Sequence, residues 1–206
     1  MAFSDFKTIA DVQTKYGIKY TEGNFVEIQL TEPPEPFREE FEFNRRNLDI
    51  FASEASRCEL AILPLIREVY KSFFDKYLLW IRKSISYDDD LNGTPDYMVS
   101  TRSELGKTII GLPLVMIVEA KKNDFEQGWA QCLAELYAAQ KINDDDSMPL
   151  HGIVTDGNFW QFGKLLKSTF VKNTVSYSID NLSELFGAVT FIFQAACGGQ
   201  QSDAET

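Results

Sequence analysis

The apolar positions of this chain change their period several times, and each change marks an element. Residues 6–16 have helical spacing, and residues 24–30 read as a strand. Residues 31–36, Thr-Glu-Pro-Pro-Glu-Pro, form a rigid break. A helix is expected over residues 37–47. A longer one is expected from about 54 to 82, where Cys58, Ile62, Leu65, Ile66, Val69, Phe73 and Tyr77 recur at helical spacing. Ser53 is its expected N-cap, and Pro64 either kinks it or starts a second segment.

A polar stretch follows, in which Asn92-Gly93 signals a turn. Residues 96–103 then read as a strand. Residues 112–120 are nearly all apolar, as in a central strand buried on both faces. A helix over 124–141 begins with Asp124 and Gln127 in a capping-box pattern, and its core stripe is Phe125, Trp129, Cys132, Leu133 and Leu136. Residues 151–155 and 158–165 form a predicted hairpin across Asp156-Gly157. A strand near 175–179 and a helix over 181–196 complete the pattern. Such an order predicts an α/β fold, a sheet covered by helices on both faces. Residues 1–36 read as an N-terminal extension packed on a core of 37–197. Residues 198–206 have no apolar anchor and read as a disordered tail.

The chain has 206 residues and a net charge of −11, from 20 Lys and Arg against 31 Asp and Glu. No apolar run reaches membrane-spanning length, and residues 1–10 lack a signal peptide's apolar centre. The expectation is a cytoplasmic protein with no membrane partner. Cys58, Cys132 and Cys197 match no zinc or disulfide spacing and read as buried free thiols. His151 has no Cys/His cluster around it and reads as structural. Asp88, Asp89 and Asp90 lack calcium-loop spacing and read as a solvated loop. Trp129 and Trp160 read as core aromatics.

Candidate chemistry lies where the apolar strand ends. Glu119 and Lys121 are two apart in a strand and share a face. Asp96, after Pro95, begins the strand expected to pair beside them. Two converging carboxylates suit magnesium or manganese, which take a few oxygen ligands together with water and phosphate. Taken singly, Asp96 is as well explained by a turn, and Glu119 with Lys121 by a surface ion pair.

Pro95-Asp96 and Glu119-Ala120-Lys121 together resemble the PD-(D/E)xK nuclease superfamily. The Glu54-containing helix, through Pro64-Leu65, resembles that of type I restriction-subunit N-terminal nuclease domains. The Gly152 to Trp160 hairpin is similar to the strand pair that follows there. The resemblance spans about residues 54–165. It implies a restriction endonuclease-like core with a mixed central sheet and magnesium-dependent hydrolysis of DNA. Asp96 and Glu119 would be metal ligands, assisted by Glu54, with Glu59 second. Lys121 would be catalytic, and Gln131 a further catalytic residue, with Gln127 one turn earlier. Glu54 serves equally as a favourable charge at a helix N-terminus, and Gln131 as the polar flank of an amphipathic helix. Arg57, Arg102, Lys107, Lys121 and Lys122 are the cations available to phosphate. A homodimer is common in this superfamily. The acidic charge is awkward for gripping DNA, and it motivates the alternative of an inactive nuclease-fold module for binding or assembly.

Overall fold

A computed structural model describes residues 2–27, 30–122 and 124–198. The N-terminal part carries a short 3-10 turn (Phe3–Asp5), helix α1 (Ile9–Tyr16), strand β1 (Lys19–Gly23) and helix α2 (Glu35–Asn47). Next come α3 (Glu54–Arg57), a π-helical turn (Cys58–Ile62), α4 (Leu63–Tyr70), β2 (Tyr77–Ile81), β3 (Ile85–Ser86), β4 (Asn92–Gly93), β5 (Tyr97–Arg102) and β6 (Ile110–Ala120). Helix α5 (Phe125–Asn143) is followed by β7 (Leu150–Thr155), β8 (Phe159–Leu166), β9 (Thr169–Asn173), β10 (Tyr177–Ser178) and α6 (Leu182–Gly198).

The main sheet runs β1-β9-β8-β7-β6-β5-β2, with β10 also pairing β8. It is mixed: β6 with β7 and β1 with β9 are parallel, and the other pairs in it are antiparallel. Two apolar layers cover its faces. One joins Phe37 and Phe41 of α2, Leu65 and Ile66 of α4 and Ile192 and Phe193 of α6 to Val118 and Ala120 of β6. The other joins Val12 of α1 and Trp129, Cys132 and Leu136 of α5 to Leu114 and Ile117 of β6. Strand β6 is therefore apolar on both sides because each side is a core.

Helix α5 lies close to the sheet because β7 and β8 carry Gly152 and Gly163 as direct partners. A Cβ at Gly163 would sit 2.7 Å from Trp129 Cη2, and one at Gly152 would sit 3.0 Å from Cys132 Sγ. The absent side chains leave the space that Trp129 fills. Its indole N–H donates to Gln161 Oε1 at 2.7 Å.

Several expectations need correction. The helix expected over 54–82 ends at Tyr70, and residues 77–81 form β2, paired antiparallel with β5. The apolar spacing carries on past Tyr70. However, Tyr77-Leu78-Leu79-Trp80-Ile81 is rich in strand-forming residues, and the ladder with β5 decides the outcome. Pro64 does start a second segment: it stands in the first turn of α4, and the π-helical turn before it bonds Leu63 N–H to Cys58 C=O. Asn92-Gly93 is a strand paired with β3, and the turn lies before it, where Asp88 Oδ1 accepts from the N–H groups of Asp90 and Leu91. Strand β9 was not anticipated. Of the strand expected at 24–30, Ile28 and Gln29 lie outside the described residues, and residues 24–27 have no regular structure; the N-terminal strand is β1. The expected disordered tail, apart from Gly198 in α6, also lies outside the described residues. The three cysteines are buried free thiols, and His151, Trp129 and Trp160 are buried.

Candidate active site

The parallel pairing of β6 with β7 brings Ala120 beside Thr155, so both strands end at one edge of the sheet. Antiparallel β5 starts at that edge, with Tyr97 opposite Val118. Asp96, Glu119 and Lys121 therefore converge. The N–H of Ala120 donates to Asp96 Oδ2 at 2.9 Å. Lys121 Nζ stands 3.1 Å from Glu119 Oε1. The Lys121 N–H donates to Thr155 C=O at 2.9 Å, which ties the end of β6 to β7.

Burial differs across the three. Glu119 follows Ile117 on the face covered by α5 and is 2% exposed. The Asp96 side chain is 14% exposed and that of Lys121 24%. Burial, then the charge of Asp96, pushes the Glu119 carboxyl up to about 8, against the pull of Lys121. Burial also raises Asp96, although the Ala120 N–H, Arg82 and Lys121 oppose it. Burial pulls the Lys121 ammonium down, but the charges of Glu119, Asp96 and Glu54 outweigh it and leave the group raised. Two nearby carboxylates that resist joint ionisation form a site suited to an added cation.

One oxygen makes this specific. Glu119 Oε2 is buried and has no hydrogen-bond partner. A buried acceptor left without a donor costs about 1–3 kcal/mol, so such groups call for a reason. A divalent cation seated against Glu119 Oε2 and Asp96 supplies one, since hard oxygen donors fit magnesium or manganese. Among the described residues, no three His, Cys, Asp or Glu side chains are close enough to hold an ion by themselves. One or two carboxylates, with water and phosphate completing the set, is how magnesium is commonly held.

The remaining expected residues fall around this pair. Glu54 is exposed at the first turn of α3, behind the Ser53 cap, and its charge reaches Asp96 and Lys121. Glu59 is exposed on the π-helical turn. Gln131 is buried on α5 and donates its side-chain N–H to Glu135 Oε1 at 3.2 Å. Gln127 is spent on the start of α5, where its backbone N–H donates to Oδ1 of the N-cap Asp124 at 2.9 Å. The proposed cations do not form one surface. Arg57 is buried and spent on the β7–β8 turn, donating from Nη1 to Asp156 C=O at 2.7 Å. Arg102 and Lys107 belong to the opposite end of the β5–β6 pair, where Arg102 faces Ile110. Lys121 lies at the site, and Lys122 follows it as an exposed residue.

Two residues of the site had not been singled out. Arg82 follows β2, bonds its N–H to Asp96 C=O at 2.9 Å, and holds Nε 3.6 Å from Asp96 Oδ1. It hides in the sequence because it falls at the end of the apparent long helix. Glu135 is wholly buried on α5, and burial with the Glu119 charge holds its carboxyl well above the ordinary range. Its place at i+4 from Gln131, beside the core stripe and not in it, gives no signal of that burial.

No protein-family model matches this chain, and no curated protein sequence matches it.

Proposed function

We propose that this chain is a metal-dependent nuclease that hydrolyses phosphodiester bonds of DNA on a restriction endonuclease-like core. The observation that carries the reading is the convergence of Asp96, Glu119 and Lys121 at one sheet edge, with the buried Glu119 Oε2 lacking a partner. The mixed sheet with helices on both faces supports it. Asp96 and Glu119 would hold magnesium or manganese, with Glu54 beside them. The bound ion supplies a water of lowered pKa and neutralises charge on the phosphoryl oxygens. Asp96 is oriented by the Ala120 N–H on one oxygen and Arg82 near the other. Lys121 keeps its positive charge and can move it from Glu119 to a phosphate oxygen as negative charge develops there. Arg82, whose side chain is 59% exposed, can reach an incoming phosphate without leaving the site edge.

The net charge of −11 favours a second reading, a nuclease-fold module that binds or assembles without cleaving. Labelled single-stranded and duplex DNA at low salt, with magnesium, manganese or chelator, separates the two. Cleavage that needs the ion and is abolished in Glu119→Ala and Lys121→Ala is the expected result. An absence of cleavage in every condition refutes the nuclease reading and leaves the module; cleavage by both variants equal to that of wild type refutes the assignment of the site.

A further inference from the structure

Helix α5 turns two polar side chains into the layer it shares with β6. Gln131 and Glu135 are four residues apart and lie one above the other on the helix. Gln131 is 7% exposed and Glu135 0%. Their neighbours Cys132, Leu136 and Ala139 are all buried, so apolar packing gives no reason for either polar group.

Hydrogen bonding supplies the reason. The Gln131 amide nitrogen is committed to Glu135 Oε1 at 3.2 Å. That bond fixes which end of the amide remains: Gln131 Oε1 is buried and has no partner. Glu135 Oε2 and Glu119 Oε2 are in the same condition. The charges of Glu119, Asp96 and Lys121 all reach Glu135. Acceptors gathered without donors call for a donating ligand, and a water is the smallest one.

We infer that Glu135 is a positioning residue, which clamps the Gln131 amide so that its carbonyl oxygen is presented as an acceptor to a water held against Glu119. The role of that water in cleavage rests on the nuclease reading; the clamp itself does not. A merely structural glutamate would be replaceable by any group that fills its volume.

The test uses the full chain and three variants. Glu135→Gln keeps an acceptor for the Gln131 N–H, Glu135→Met fills the volume without one, and Gln131→Met removes the clamped group. In a ¹⁵N-labelled sample, the Gln131 side-chain amide, assigned by its loss in Gln131→Met, is followed by NMR. The expected result is slow proton exchange in wild type and Glu135→Gln, and fast exchange in Glu135→Met. Glu135→Met and Gln131→Met each lower kcat for metal-dependent DNA cleavage by about 10–100-fold at nearly unchanged KM, the usual range for such supporting contacts. The double variant falls no further, as expected of residues acting as one unit. An amide unmoved by Glu135→Met, or one freed in Glu135→Gln, overturns the clamp. So do additive losses in the double variant. Should Glu135→Met not fold, the Glu135→Gln amide decides alone. Wild type that fails to cleave DNA defeats the nuclease reading, while the amide still decides the clamp.

Discussion

Replacing Glu119 by glutamine removes a charge that the fold accommodates poorly when no cation is bound. The carboxyl is 2% exposed, and its pKa stands at about 8 against an ordinary 4.5. A carboxyl raised on folding contributes stability that is fully present below the unfolded pKa and is lost as pH rises through the folded one. At about 1.4 kcal/mol per pKa unit, ionising Glu119 costs the fold on the order of 4 kcal/mol by pH 8. His151 works in the opposite sense. Burial lowers it from 6.5 to about 4, so its contribution is present above pH 6.5 and lost as pH falls through about 4. The two slopes oppose each other between pH 4.5 and 6.5, and Glu119 acts without that opposition above it. The difference between Glu119→Gln and wild type cancels the histidine. With chelator present, urea unfolding should show the variant within about 1 kcal/mol of wild type at pH 5 and ahead of it by on the order of 4 kcal/mol at pH 8. Magnesium should narrow the gap at pH 8 by stabilising wild type through binding. A gap independent of pH, or a variant that loses ground as pH rises, refutes the argument from burial and the Asp96 charge.

Gly128→Ala would place a Cβ 2.7 Å from Val154 Cγ1 and 3.1 Å from Lys121 Cγ, so we expect a loss of about 1–3 kcal/mol, read in urea unfolding, together with weakened activity from a displaced Lys121. Arg57→Leu removes the donors to Asp156 C=O and to Phe51 C=O; thermal unfolding should fall by an amount equivalent to about 1–3 kcal/mol, and proteolysis at the β7–β8 turn should quicken. Asp124→Ala takes the cap from Gln127 N–H at the start of α5 and should cost about 1 kcal/mol in chemical unfolding, without abolishing metal binding.

How much of this was legible follows from how local each signal is. The strand β6 and the helix α5 could be read because an unbroken apolar run and a capped amphipathic stripe are determined by neighbouring residues. Glu119 and Lys121 shared a face by strand geometry alone. The end of α4 could not be read, since Phe73 and Tyr77 continue the helical spacing and the pairing of β2 with β5 is a long-range event. Arg82 was lost with it. Strand β9 likewise depends on its partners β1 and β8. Arg57 looked like a phosphate ligand because a sequence shows charge but not the carbonyls that consume it. Glu135 went unread for a related reason: at i+4 from Gln131 it looks like a solvated helical position, and burial reverses its meaning.

The site depends on how closely α5 can approach the sheet. Gly152 and Gly163 pair across β7 and β8, and Trp129 and Cys132 settle into the space above them. One turn before, Gly128 has no Cβ to push away the Lys121 stem. Three and seven residues after Gly128, Gln131 and Glu135 come round on its face of the helix. Larger residues at the sheet glycines would lift the helix, and Gln131 and Glu135 would lose their register with β6 together. These three glycines therefore help set the distance between the carboxylate pair on the sheet and the polar pair on the helix. Packing density at these glycines and the electrostatics of Glu119 are two aspects of one arrangement, because the helix that buries the carboxylate also brings the groups that surround it.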